Sequence, residues 1–241
     1  YHGKYNEPPP DVDGKDVVMV DFSYKRQVLL EMAAKANSIL VLDHHKTAEQ
    51  ELIDLPENIT AKFDMNHSGA IMAWEHFFPG HAPPILLLHI EDRDLWRFAL
   101  QNTREIQAAV FSFPYDFQVW DALMEKSMGE LAGEGKSIER KHFKDIMELL
   151  GVTTRDMVIG GHRVPVANLP YTMSSDAGHH LANGKPFAAC YMDTPEGRVF
   201  SLRSSEDGID VAEVAKQYGG GGHRNAAGFR VSFAHAQAFE V

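Results

Sequence analysis

The sequence predicts an α/β protein with a parallel-sheet domain, a helical connector and a smaller mixed α/β domain. Two apolar runs flank an amphipathic pattern within residues 16–43, and such strand-helix-strand units join parallel strands. Residues 116–150 have helical composition, and after Gly151 short apolar segments alternate with glycine turns. We place the three parts at residues 1–115, 116–151 and 152–241.

The first strand is predicted in "DVVMVD", which ends on Asp21. The apolar positions of "KRQVLLEMAAKAN" fall on one helical face, and "ILVL" forms the next strand, which leads into Asp43. Parallel strands of an open α/β sheet present their carboxyl ends, where ligands bind, at one edge. Asp21 and the "DHH" of residues 43–45 should therefore lie together.

Two further helices are predicted in the first domain. Ser68 can cap "GAIMAWEHFF", and "PPILLLHIEDRDLW" carries Asp92 and Asp94 near its end. The polar, proline-rich residues 1–15 read as a loop, in which Asp11 to Gly14 form a turn.

The connector and the last domain are punctuated by glycines. Those at 129, 133 and 135 are expected to break or bend the connector helix, whereas "SDAGHHLANG" and "DVAEVAKQYGGGG" suit short helices between strands. The pair His179 and His180 in the first of these is interpreted as surface or packing residues.

Composition excludes several classes of function. With 44% apolar and 24% charged residues and no long apolar run or leader, the chain is expected to be cytoplasmic and to contact no membrane. A net charge of −11 opposes binding to long duplex nucleic acid, because such binding depends on neutralised phosphates. The single cysteine, Cys190, lies in an apolar run and is expected to be buried and unreactive.

Four motifs together resemble one family. "VDFS", "VLDHHKT", "EDRDLW" and "GGGGHRNAAGF" occur in this order across residues 17–233, and the ordered set is similar to the DHH phosphoesterases that carry a DHHA1 C-terminal domain. That group includes RecJ-type exonucleases, small oligoribonucleases and phosphodiesterases of cyclic dinucleotides. The resemblance implies hydrolysis at phosphorus assisted by two divalent ions in the intact protein. A nitrogen and oxygen ligand set without thiolates suits Mn²⁺, with Mg²⁺ or Co²⁺ possible.

By position, the resemblance implies Asp21 as the bridging metal ligand and His44 as a second ligand. Asp92 would be the distal ligand, with Asp94 as the alternate. The catalytic pair would be Asp43, which orients a neighbouring histidine, and His45, which faces the phosphate.

The substrate would be held by residues of both domains. Successive glycines at 219–222 can let backbone N–H groups converge on a phosphate. The expected substrate-binding residues are Arg97, Arg203, Ser204, Gly220, Gly221, Gly222 and His223.

The predicted function is a metal-dependent phosphodiesterase or exonuclease of short oligonucleotides or related nucleotides, and a homodimer is the assembly considered. Two alternatives stay open, hydrolysis of polyphosphate or pyrophosphate, and nucleotide sensing by a chain whose metal centre has degenerated. No aspartate motif of the family precedes Asp21, so this chain is expected to be a fragment of a longer polypeptide, with impaired activity, or a degenerate member.

Overall fold

The computed structural model describes residues 1–3 and 7–240, so part of the predicted N-terminal loop, residues 4–6, lies outside it. The chain divides into two compact units, Tyr1–Glu139 and Arg140–Val241, which are described separately. The first contains a parallel sheet and the second a mixed sheet, each with helices, which confirms the predicted α/β class. The division into three parts stays a prediction.

The first unit is built on three parallel strands in the order β1-β2-β3. These are β1 (Asp16–Val20), β2 (Ser38–Asp43) and β3 (Ile59–Phe63), with α1 (Arg26–Ala33) and α2 (Lys46–Glu51) between them. Both β3 and α2 were absent from the prediction. In β3 the exposed Thr60 and Lys62 interrupt the apolar residues, so this strand lacks the continuous apolar run that revealed β2.

One face of this sheet is closed by α1. Leu29 and Met32 of the helix are buried with Ile39 and Val41 of β2 in one hydrophobic cluster. This burial fixes the register of the strands. Since β1 and β2 are parallel and Val20 pairs with Leu42, their carboxyl ends lie at the same edge of the sheet.

The remaining helices of this unit follow in chain order. They are α3 (Gly69–Phe77), α4 (Ile85–Asp94), α5 (Thr103–Val110), α6 (Phe117–Met124) and α7 (Met128–Thr153), which contains the boundary between the units. The Ser68 hydroxyl accepts a hydrogen bond from the N–H of Ile71 and caps α3, as predicted.

Helix α7 runs unbroken through Gly129, Gly133 and Gly135, so the prediction of breaks at these glycines was wrong. The reason at Gly135 is tertiary, because a Cβ there would lie 1.7 Å from the carbonyl oxygen of Glu105. This glycine allows close approach of two helices rather than ending one of them.

The second unit is a six-stranded mixed sheet in the order β4-β5-β6-β7-β9-β8. Its strands are β4 (Thr154–Ile159), β5 (His162–Asn168), β6 (Ala188–Thr194), β7 (Gly197–Arg203), β8 (Gly221–His223) and β9 (Ala226–Val231). Its helices are α8 (Ser174–Ala182), α9 (Val211–Lys216) and α10 (Phe233–Gln237). Gly160 and Gly161 both have positive φ, which suits the two-residue turn between β4 and β5.

Several predicted properties can be checked on this fold. Cys190 is buried, and burial raises the pKa of its thiol to about 12, as expected of an unreactive cysteine. In α8, Nδ1 of His179 donates to the Ser175 carbonyl and His180 is exposed, in agreement with surface and packing roles. No helix within residues 1–3 and 7–240 has the length and apolarity that a bilayer crossing requires.

Candidate metal centre

The candidate site lies where β1 and β2 end. Asp21 follows β1 directly, and its N–H donates to the Leu42 carbonyl of β2. Asp21 has a φ of 54°, a left-handed conformation that aspartate tolerates better than most residues. Asp43 is the last residue of β2 and is followed by His44 and His45. The predicted convergence of these residues at one sheet edge is therefore present in the structure.

Asp43 organises the turn that carries both histidines. Its Oδ1 accepts hydrogen bonds from the N–H of His44 at 2.8 Å and of His45 at 3.3 Å, and it lies 2.6 Å from Nδ1 of His45. Burial raises the pKa of Asp43, but these hydrogen bonds and the charge of His45 outweigh burial, so its pKa is lowered. The carboxylate thus stays ionised and fixes the ring of His45.

His44 lies between two other carboxylates. Its Nε2 is 3.0 Å from Oδ1 of Asp21 and 3.4 Å from Oδ2 of Asp94, and its side chain is almost fully buried. Burial lowers the pKa of His44, but the hydrogen bond to Asp21 and the negative charges of Asp94 and Asp21 raise it overall. One imidazole nitrogen and two carboxylates therefore share a small volume.

The two aspartates of "EDRD", Asp92 and Asp94, have different surroundings, and those of Asp94 suit a metal ligand better. Asp94 reaches His44 with a side chain that is 43% exposed. Asp92 is buried, and its carboxylate accepts hydrogen bonds from the N–H groups of Ala99 and Leu100 and from the Thr103 hydroxyl. The oxygens of Asp92 are committed to holding a loop, so we take Asp94 rather than Asp92 as the candidate ligand.

Arg97 also differs from its expected role. One of its terminal nitrogens contacts Glu91, and the other donates to the Asn66 carbonyl at 2.6 Å. Glu91 is buried and accepts from the N–H of Ser68 at 2.9 Å. In the structure Arg97 therefore ties α4 to the loop before α3, and its substrate role stays a prediction.

Gly69 was missed by sequence reasoning, although it contacts the centre. A Cβ at this position would lie 2.3 Å from Cβ of Asp21, so the first residue of α3 packs directly on the candidate ligand. The sequence signal was the glycine that follows the cap residue Ser68, which alone does not indicate such a contact. The backbone of α3 thus limits the positions that the Asp21 side chain can take.

The donor set fits divalent cations. Asp21, Asp43 and His45 each offer one ligand atom, and these atoms lie within 4.8 Å of one another. The Oδ2 atom of Asp43 is buried and has no hydrogen-bond partner among the described residues, an arrangement that is costly unless a further group binds there. Imidazole and carboxylate donors without thiolates suit Mn²⁺ or Mg²⁺ better than softer ions.

The predicted substrate residues of the second unit are largely engaged with protein. Arg203 donates to the Ser175 hydroxyl and to the Leu202 carbonyl. Ser204 is only 1% exposed and its hydroxyl accepts from Nδ2 of Asn225, which ties the backbone after β7 to the residues before β9. Its direct contact with a nucleotide stays a prediction.

The glycine run is partly a strand and not an open loop. Gly221 to His223 form β8, which pairs with β9, and the N–H of Gly220 donates to the Ala215 carbonyl. A Cβ at Gly220 would lie 2.0 Å from the Gly228 carbonyl oxygen. The N–H of Gly220 is thus unavailable to a phosphate, and the phosphate-binding roles of Gly221, Gly222 and His223 stay predictions.

Comparison with known proteins finds a family match within the second unit. Residues 179–239 match the family model described as the DHHA1 domain. This part of the chain is similar to DHHA1 domains. The "GGGGHRNAAGF" segment lies within the matched residues, and the DHHA1 part of the predicted resemblance is confirmed.

Proteins similar to this chain include one viral protein and two bacterial proteins of known structure. Uncharacterized protein R106 of Acanthamoeba polyphaga mimivirus is 35% identical over 230 residues, which cover 92% of this chain but only 54% of the viral protein. Among solved structures, the pGpG-specific phosphodiesterase PggH from Vibrio cholerae has a TM-score of 0.40 at 13% identity. The aligned residues cover 94% of this chain and 95% of the PggH chain. An exopolyphosphatase-related protein from Bacteroides fragilis has a TM-score of 0.38 at 14% identity, with coverages of 90% and 66%.

Proposed function

We propose that this chain is the part of a metal-dependent phosphodiesterase that hydrolyses short oligonucleotides or related nucleotides. One observation carries the proposal: in a chain with a DHHA1 domain, Nε2 of His44 lies within 3.4 Å of the carboxylates of Asp21 and Asp94, beside Asp43 and His45. The chain spans about half the length of its viral relative. Any activity of the whole protein is therefore also part of this proposal.

Each residue of the centre has a role in this proposal. Asp21, His44 and Asp94 would hold divalent cations. The Asp21 carboxylate lies 3.0 Å from Nε2 of His44 and within 4.8 Å of ligand atoms of Asp43 and His45, which suits a ligand shared by two ions. When bound, such ions supply Lewis-acid stabilisation of charge at a phosphoryl oxygen. Mn²⁺ is the proposed ion on the basis of the donor set.

The Asp43–His45 pair would act on the substrate. Asp43 holds Nδ1 of His45 and so fixes the orientation of a ring whose side chain is 27% exposed. A ring held in this way can donate a hydrogen bond from its other nitrogen to a phosphate oxygen without first losing rotational freedom. His45 would therefore bind and orient the phosphate.

The test is hydrolysis of 5′-phosphorylated di- to pentanucleotides by the purified chain with Mn²⁺. We expect His44→Ala to abolish turnover and to weaken Mn²⁺ binding in a calorimetric titration, because the centre loses its imidazole ligand. The matched control is His180→Ala, which removes an exposed histidine of α8 and should change neither measurement. Full turnover by His44→Ala, or in a chelator, would contradict the proposal.

The same assay separates the two alternatives. Faster release of phosphate from pyrophosphate or polyphosphate than from the dinucleotide would replace the nucleotide substrate by an inorganic one. Tight binding of nucleotide without Mn²⁺ binding or turnover would identify a sensor.

A further inference from the structure

The loop between α4 and α5, residues 95–102, has an unusual backbone. Trp96, Phe98 and Asn102 have φ values of 56°, 48° and 65°, although none of them is glycine. Asparagine tolerates this left-handed region, but for bulky aromatic residues it is strained. Two strained aromatic residues thus follow Asp94, a candidate metal ligand, by two and four positions.

Asp92 holds this loop in place. Its carbonyl oxygen accepts hydrogen bonds from the N–H of Arg97 at 2.8 Å and of Phe98 at 3.2 Å. Its buried carboxylate accepts from Ala99, Leu100 and Thr103. Asp92 thus accepts hydrogen bonds from four successive backbone N–H groups of the loop, those of residues 97–100, which allows a strained conformation to persist. Strain of this kind is typically retained where it presents a functional group.

The two rings do not serve the hydrophobic core. Among the described residues, neither Trp96 nor Phe98 belongs to the hydrophobic clusters of the first unit. They contact each other edge to face, with centroids 4.9 Å apart. The guanidinium of Arg104 lies 3.7 Å from the centroid of the Phe98 ring and 5.6 Å from that of Trp96. The loop therefore presents two half-buried aromatic rings together with one arginine.

We propose that Trp96, Phe98 and Arg104 form a subsite for the base of a nucleotide. Aromatic faces and guanidinium planes both stack on nucleobases, and such stacking tolerates any base sequence. The positive charge of Arg104 also suits a ligand that carries phosphate. The inference rests on the proposed function, since it supplies the base-binding part of the same substrate.

The ligand pair that tests the subsite is AMP and ribose 5-phosphate, which differ only in the base. The chain has three tryptophans, so a variant with Trp74→Phe and Trp120→Phe reports the fluorescence of Trp96 alone. In this variant AMP should change the emission of Trp96 at concentrations where ribose 5-phosphate does not. Equal responses to the two ligands would overturn the assignment.

The mutation that tests the subsite is Trp96→Gly, because glycine accepts the left-handed backbone and relieves its strain. We expect AMP binding to weaken by about tenfold, with the midpoint of thermal unfolding nearly unchanged. Trp96→Phe keeps a ring and should restore most of the affinity, whereas ribose 5-phosphate should bind all three proteins equally. The matched control is Phe117→Ala, which removes a 91% exposed aromatic ring elsewhere in the first unit and should leave AMP binding unchanged.

The outcomes distinguish this inference from the proposed function. Unchanged AMP affinity in Trp96→Gly, in a chain that hydrolyses oligonucleotides, would overturn the subsite and leave the function standing. Loss of AMP affinity in that variant, in a chain that hydrolyses no phosphodiester, would support the subsite and remove the function.

Discussion

The strand-end centre of the first unit and the glycine-rich segment of the second use their polar groups in different ways. At the centre, the side chains of Asp21 and Asp94 are 55% and 43% exposed, and Oδ2 of Asp43 has no partner among the described residues. In the glycine-rich segment, the N–H of Gly220 is bonded to Ala215 and β8 pairs with β9. The first region retains groups that can bind a ligand, whereas the second uses its backbone groups mainly for folding.

The reason lies in which atoms each region offers. Side chains that leave the ends of parallel strands extend beyond the hydrogen bonds of the sheet, so the sheet does not consume them. Backbone groups of a glycine run can bind a phosphate only where the sheet leaves them unpaired. A carboxylate at a strand end is therefore better evidence of a ligand site than a glycine run is.

The contrast between the two regions is tested most strongly at Asp94, where we expect the largest change in Mn²⁺ affinity. Asp94→Asn should weaken Mn²⁺ binding by at least ~10-fold, because it removes the charge of a ligand candidate. The matched variant is Asp92→Asn, which alters a carboxylate committed to hydrogen bonds. It should leave Mn²⁺ affinity nearly unchanged and lower the free energy of unfolding by about 1–3 kcal/mol. Isothermal titration calorimetry and denaturant unfolding measure the two effects, and the reverse pattern would restore Asp92 as the ligand.

A second prediction concerns Gly220. Gly220→Ala would place a Cβ 2.0 Å from the Gly228 carbonyl oxygen, so β8 and β9 must separate. Overpacking of this kind costs about 1–3 kcal/mol of unfolding free energy. The control is Gly219→Asn, since Gly219 has φ of 78°, which asparagine tolerates, and open space around it. If Gly220→Ala were as stable as the wild type, the segment would be more open than the structure shows.

Gly69 offers the corresponding change in the first unit. In Gly69→Ala the new Cβ would clash with the Asp21 side chain and displace it. We therefore expect a lower affinity for Mn²⁺. The effect should be smaller than that of Asp94→Asn because the ligand is moved and not removed. A calorimetric titration with unchanged affinity would show that α3 does not constrain Asp21.

The smallest effect is expected at Cys190. Burial raises the pKa of its thiol to about 12, so at pH 7 to 9 it is protonated and inaccessible. We expect no reaction with a thiol reagent in the native chain across that range, and one thiol per chain after unfolding. Rapid native labelling at pH 8 would show that this part of the second unit opens readily.

Sequence reasoning predicted that Asp21 and the "DHH" segment lie together at one sheet edge because the signals for this arrangement are local. The apolar runs before Asp21 and Asp43 and the helical pattern between them determine two parallel strands, and the geometry of parallel strands then brings their ends together. The capping serine at position 68 and the burial of Cys190 were likewise predicted from neighbouring residues alone. These features require no knowledge of distant contacts.

The tertiary structure alone decided which of two similar residues serves which purpose. Asp92 and Asp94 are two residues apart on α4 and so leave the helix in different directions, one toward the 95–102 loop and the other toward His44. The sequence predicted a break or bend at Gly135 and a phosphate-binding run that includes Gly220, yet each glycine is required by a carbonyl group that approaches from elsewhere in the chain. Sequence determined where polar groups enter the fold, whereas packing of distant backbone determined which of them remained available to a ligand.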